Sequence, residues 1–140
     1  MPKIPKELGK VFVPFGALPY RHETEIANLL IHTGDNVTFI KTSSQPTPDI
    51  RYQKLLWEIK SPIGKSSRTI ENNLRNALRQ SSNIILDLRR TAIPDQKCLT
   101  YLTNHISNFH SLKNLLIVNK NSEILQLNKK DSCFIKIHVL

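Results

Sequence analysis

The chain has 140 residues, enough for one domain with a real core, and its 39% hydrophobic content excludes global disorder. Lys and Arg outnumber Asp and Glu by 20 to 11, a formal charge of +9, which favours a polyanionic partner, either nucleic acid or an anionic membrane surface. No apolar stretch reaches the ~18 residues of a membrane span, no signal-peptide core follows Met1, Cys98 and Cys133 fit no CxxC or zinc pattern and read as reduced thiols of a cytosol, and no Gly-rich phosphate loop is present.

Residues 1–20 are Pro-rich and aperiodic, and read as an N-terminal arm before a domain over 21–140. Residues 22–33 carry an apolar stripe, Ile26, Ala27, Leu29 and Leu30, and Gly34 follows as a helix stop. Residues 36–41 form a short strand around Val37, Phe39 and Ile40. A polar loop rich in Ser, Thr and Pro spans 42–48. Residues 50–52 and 55–60 are two strands of a hairpin. The loop 61–67 leads to a second helix over about 68–80, with Ile70, Leu74, Ala77 and Leu78 at helical spacing. Residues 83–88 are a buried strand, and Pro94 opens a third helix reaching about residue 109. Strands over 115–118 and 123–127 form a hairpin turning near Asn121-Ser122, and 134–139 adds another strand. No repeat or second domain is evident. The order implies a single α/β domain with a central mixed β-sheet flanked by helices.

Most of the chemical information lies in Pro48-Asp49 and in Leu55-Leu56-Trp57-Glu58-Ile59-Lys60. Alternation along a strand puts Glu58 and Lys60 on one face and Trp57 and Ile59, read as core, on the other. A turn centred between Gln53 and Lys54 sets Asp49 directly opposite Glu58, about 4.5–5.5 Å apart at Cβ. Gln53-Lys54 lacks the Asn-Gly or Asp-Gly of a two-residue turn, so a looser turn of about four residues with the same centre is expected. Two adjacent carboxylates repel unless a cation or a proton lies between them. Hard oxygen ligands suit Mg²⁺ or Mn²⁺, which would neutralise charge on a phosphate and activate water. Lys60 would orient that water and stabilise the pentavalent phosphorus. An ordinary solvated hairpin with a Glu–Lys pair is the alternative on spacing alone.

The order of a Glu on the first helix, Pro-Asp, Glu-x-Lys, helix and strand resembles the PD-(D/E)XK nuclease superfamily. A closer resemblance is to the C-terminal tRNA-nuclease domain of CdiA-type contact-dependent growth-inhibition toxins. It rests on His22-Glu23-x-x-x-Ala27, Gly34-x-x-Val37, Pro48-Asp49-Ile50, the run Trp57-Glu58-Ile59-Lys60-Ser61-Pro62-x-Gly64, Thr69-Ile70, and the stretch from Gln80 to Arg90. It covers the motif-bearing core 21–92, and residues 93–140 match no motif. A Gly usual in the turn between the motif strands is replaced here by Gln53-Lys54. The resemblance implies a restriction-endonuclease-like fold and a metal-dependent endonuclease, with Asp49, Glu58 and Glu23 around Mg²⁺ or Mn²⁺ and Lys60 as catalytic lysine. Glu23 would complete the acidic cluster or hold a water at the metal. Glu25 competes for that role, and a plain helix-N-terminal carboxylate is the alternative for Glu23. RNA, and tRNA in particular, follows from the resemblance alone. A DNA endonuclease of the same fold and a non-catalytic nucleic-acid-binding module are the competing readings. A toxin also implies a small acidic immunity protein and action in the cytoplasm after delivery within a larger secreted protein.

Softer candidates surround this set. Arg68, Arg75 and Arg79 share a helix face and, with Lys65 in the Gly-containing loop after the Glu-x-Lys strand, could contact phosphates; a solvated face explains them equally. Asp87 either edges the site or pairs locally with Arg89. Gln80 could donate a hydrogen bond in the site. His22 could move a proton, or simply cap its helix. Tyr20 and Tyr52 could stack on bases.

Overall fold

Eight strands and three helices run through the described residues, 7–139, of the computed structural model. They are β1 (Val11–Phe12), α1 (Arg21–Leu30), β2 (Val37–Phe39), β3 (Ile50–Tyr52), β4 (Leu55–Lys60), α2 (Ser67–Ala77), β5 (Asn83–Asp87), α3 (Asp95–His105), β6 (Asn114–Val118), β7 (Ile124–Asn128) and β8 (Cys133–Lys136). The strands form one sheet in the order β1 to β8. The β1–β2, β4–β5 and β5–β6 pairs are parallel and the others antiparallel. The parallel joins β4–β5 and β5–β6 are the ones bridged by α2 and α3, as crossover geometry demands. The mixed α/β expectation therefore holds.

The buried strand β5 shows how the sheet divides its core. Ile84 and Leu86 join α2 and α3 through Ile70, Leu74, Ala77 and Leu102. Ile85 faces the other way and joins Ile26, Ala27 and Leu30 of α1, with Val37, Phe39, Ile50, Trp57 and Ile59. Trp57 is core, as its face of β4 requires, and its indole N–H donates to the Tyr52 carbonyl at 2.8 Å.

The expected arm differs. Its first part, residues 1–6, lies outside the described residues. Farther on, Val11 and Phe12 pair in parallel with Val37 and Thr38. The Gly9 N–H donates to the Ile31 carbonyl at 2.9 Å, and Ala17 is buried with the α1 core. A two-residue strand is too short to show periodicity, so only its tertiary partner reveals it.

The hairpin keeps its expected centre but not its expected turn. Ile50 pairs with Trp57, Arg51 with Leu56 and Tyr52 with Leu55, leaving Gln53 and Lys54 as a tight two-residue turn. Both residues have positive φ, 54° and 64°, the backbone that type I′ turns need and that glycine or asparagine adopt most readily. The Gln53 amide nitrogen donates to Asp35 Oδ2 at 3.1 Å, holding this turn to the segment before β2. Tyr52 is not a stacking residue: it is buried, and its hydroxyl meets Thr33 Oγ1 at 2.6 Å.

Candidate active site

The β3–β4 ladder brings the carboxylates together. Just beyond β3, the Asp49 N–H donates to the Trp57 carbonyl and the Ile40 N–H donates to the Asp49 carbonyl, both at 2.9 Å. Asp49 thus continues the register past the Ile50–Trp57 pair and stands across from Glu58. Its side chain folds over the neighbouring strand, where Oδ2 accepts the Ile59 N–H at 2.7 Å. That bond fixes the carboxylate on the Glu58 side of the hairpin.

Glu58 is buried, 3% exposed. Lys60, two positions on and on the same face, places Nζ 3.4 Å from Glu58 Oε2. The other oxygen, Oε1, is buried without any partner. An ionised carboxylate in that state is costly. Burial, then the nearby charge of Asp49, push the Glu58 carboxyl up to about 8, and Lys60 opposes the rise only partly. Glu23 enters from the first turn of α1. It is 9% exposed, and Oε1 accepts the Tyr20 N–H at 3.0 Å. Its proton affinity is also raised, first by burial, with the Tyr20 bond opposing and Asp49 adding to the rise. Glu23 therefore both closes the start of its helix and stands within the field of Asp49 and Lys60. Glu25, its competitor, is exposed and pairs with Arg21 and Arg89.

Glu23 and Asp49 open into a cleft of about 390 Å³, lined also by Leu18, Tyr20, the loop from Thr42 to Pro48, and Gln80. Gln80, in the turn just past α2, thus lines the same cleft as Glu23 and Asp49. The loop wall of Thr42, Ser43 and Gln45 was not singled out by sequence reasoning, although its polar residues run straight into Pro48-Asp49. Among the described residues, no three His, Cys, Asp or Glu side chains converge tightly enough to cage an ion. The carboxylates nevertheless suit a hard divalent cation: two face each other, one is buried with an unpartnered oxygen and a raised pKa, and Lys60 relieves them only in part.

A second polar cluster flanks the first. Asp87 is fully buried, and both oxygens are taken by Arg89, through Nε at 2.9 Å and Nη2 at 3.0 Å, while Ser61 Oγ donates at 3.2 Å. The local pair is thus present, with Ser61 as a partner that sequence reasoning missed. Arg89 reaches on to Glu25 at 3.4 Å. Arg90 Nη1 lies 3.4 Å from His22 Nδ1, and the His22 ring is parallel to that of Tyr20, with centroids 5.8 Å apart. Burial and then Arg90 lower the His22 pKa. Lys65, Arg68, Arg75 and Arg79 are exposed and line no wall of the cleft. Arg75 alone is engaged, by Glu71 at 2.9 Å and over the Phe109 ring at 5.2 Å.

Gly64 explains the motif after β4. A Cβ there would fall 2.0 Å from Thr69 Oγ1. The Gly64 carbonyl accepts from Thr91 Oγ1 at 2.8 Å, so this loop locks α2 to the end of β5.

Residues 45–124 match the family of contact-dependent growth inhibition CdiA C-terminal domains. A solved CdiA-CT/CdiI toxin and immunity complex from Burkholderia pseudomallei contains a chain similar to this one, with a TM-score of 0.67 at 17% identity. The alignment covers 91% of this chain and 99% of that one, and at this identity it speaks for the fold. No curated protein sequence matches the chain.

Proposed function

The chain belongs to the family of contact-dependent growth inhibition CdiA C-terminal domains, and we propose that it is a toxin domain that hydrolyses phosphodiester bonds with the help of Mg²⁺ or Mn²⁺. The observation that carries this reading is the buried Glu58 carboxylate facing Asp49, with Oε2 paired to Lys60 and Oε1 left without a partner. Such a pair serves no packing purpose, and a fold without function would replace it with apolar side chains at little cost.

In this reading Asp49 and Glu58 would hold the cation, which would supply charge neutralisation at the phosphate. Lys60 donates to a phosphoryl oxygen as negative charge builds there. Glu23, with its raised proton affinity, takes the proton that the attacking water loses. The bond from water oxygen to phosphorus forms as the bond to the leaving sugar oxygen breaks. The charge of +9 suits a polyanionic substrate.

RNA, and tRNA first, is the substrate class we put forward, on the resemblance of the run from Trp57 to Gly64 to toxin tRNA nucleases. The similar Burkholderia chain was solved with an immunity partner, and an acidic protein covering the basic surface is the corresponding partner proposed here. The test offers total tRNA and plasmid DNA to purified protein with Mg²⁺, Mn²⁺ or chelator. The expected result is metal-dependent tRNA cleavage that Asp49→Asn abolishes. Cleavage of plasmid alone would redirect the reading to a DNA endonuclease. Salt-sensitive binding with no cleavage of either would make the domain a binding module.

A further inference from the structure

We propose that Tyr20 is a stacking platform for one unpaired nucleobase beside the scissile phosphate, so that the site selects single-stranded or looped nucleic acid over continuous duplex. This deepens the nuclease reading and rests on it.

The side chain of Tyr20 is no part of either hydrophobic core. It stands at the N-cap of α1, where Ser, Thr, Asp or Asn would be preferred, and makes no side-chain cap hydrogen bond. The helix start is closed by the Tyr20 backbone N–H and Glu23 instead. The residue is 70% exposed, yet it lines the same cleft as Glu23 and Asp49. A large aromatic, mostly exposed at the edge of a site, offers a surface on which any base can stack.

The surroundings fit that ligand better than an apolar one. The His22 ring lies parallel to Tyr20, the two planes only 6° apart. Arg90 contacts His22 at 3.4 Å. A cation beside a parallel ring pair suits a base with its phosphate. Thr42, Ser43 and Gln45 line the same cleft as Tyr20 and bring polar groups to its wall. The volume of about 390 Å³ is that of a small-molecule site. A base inside a duplex is already stacked on both faces and cannot lie on Tyr20 without being extruded.

The test uses hairpin oligonucleotides carrying 2-aminopurine in the loop or in the stem, in ribose and deoxyribose forms, with chelator present so that nothing is cut. Wild type and Tyr20→Phe should bind the loop-labelled form and quench its fluorescence. Tyr20→Ala should bind it roughly tenfold more weakly and lose the quenching, a size set by the ~1–3 kcal/mol of a base–aromatic stack. Stem-labelled duplex should respond to none of these changes. Because the side chain is exposed, a thermal melt should leave the three proteins alike. Asp49→Asn should keep the quenching while losing cleavage in Mg²⁺, which separates this inference from the nuclease reading. Ribose and deoxyribose arms decide which nucleic acid stacks. If Tyr20→Ala binds the looped form within about twofold of wild type, or loses stem and loop binding equally, or fails only to bind a co-expressed protein partner, Tyr20 is no base platform.

Discussion

Glu58 sets the pH behaviour of the site. Its folded-state pKa, about 8, stands above the ordinary 4.5, so between those values the folded protein holds a proton that the unfolded chain releases. Stability from this group is therefore lost as pH rises through that window. The melting temperature without metal should fall from about pH 5 to about pH 8.5, and Glu58→Gln should flatten the slope. Mg²⁺ or Mn²⁺ should raise the melting temperature most at the alkaline end, because a cation favours the charged carboxylate. An equal effect of metal at both ends would argue against binding at Glu58. Lys60 makes a complementary prediction. Its side chain is 26% exposed and pairs with the buried Glu58, so Lys60→Ala should leave the melt nearly unchanged where Glu58 is protonated and lower it once Glu58 ionises. It should cost roughly 10²–10³ in the cleavage rate, the usual loss when one preorganised donor to developing charge is removed. Asp49, Glu58 and Lys60 were legible in the sequence because strand alternation and a hairpin centre fix which side chains meet. The choice of Glu23 over Glu25 was less so, since both lie near the inward stripe and only burial separates them. The Ser61 contact to Asp87 left no trace, because it joins two strands through side chains far apart in the chain.

At the scale of elements, the β3–β4 turn holds a reserve of strain. Lys54 has φ of 64°, a conformation that costs a non-glycine residue ~1–2 kcal/mol. Lys54→Gly should therefore stabilise the protein, by up to about 1 kcal/mol after the added chain entropy of glycine, with activity intact because the register stays. A chemical denaturation midpoint measures the gain, and a loss of activity would mean the register had slipped. Gly64→Ala predicts the opposite. The new methyl group would meet Thr69 at 2.0 Å, so the loop must shift, at roughly 1–3 kcal/mol. Pairing it with Thr69→Ala, which removes the Oγ1 and Cγ2 atoms that the methyl group would strike, should recover part of the loss. The long helices and the β5 strand were readable because their periodicity spans several turns or pleats. The tight turn was not, because its positive φ values come from the pull of flanking ladder pairs and Asp35 rather than from favourable turn residues. The same holds for β1, whose partner β2 lies across a helix.

For the whole molecule, the charge of +9 predicts nucleic-acid binding that weakens as salt rises. Arg68 and Arg79 are exposed on α2, whereas Arg75 is already held by Glu71. Arg68→Gln and Arg79→Gln should each reduce the slope of log affinity against log salt by about 0.7–0.9, if each neutralises one phosphate. Arg75→Gln should change it least, and equal effects for all three would place no single face of α2 on the substrate. Composition gave this charge at once, but not its distribution over the surface, which depends on the fold. The sheet order running β1 to β8 without interruption has a further consequence for how the domain is made. Every strand pairs with its immediate predecessor, so no closure is longer than one crossover, and loop-closure entropy stays small at each step. Assembly can proceed as a zipper along the chain, with Glu23, Asp49, Glu58 and Lys60 gathered by the first four strands and α1 before β6 to β8 have joined. A polypeptide that emerges end first, whether from a ribosome or a translocation pore, could build its chemical centre while its tail is still unpaired.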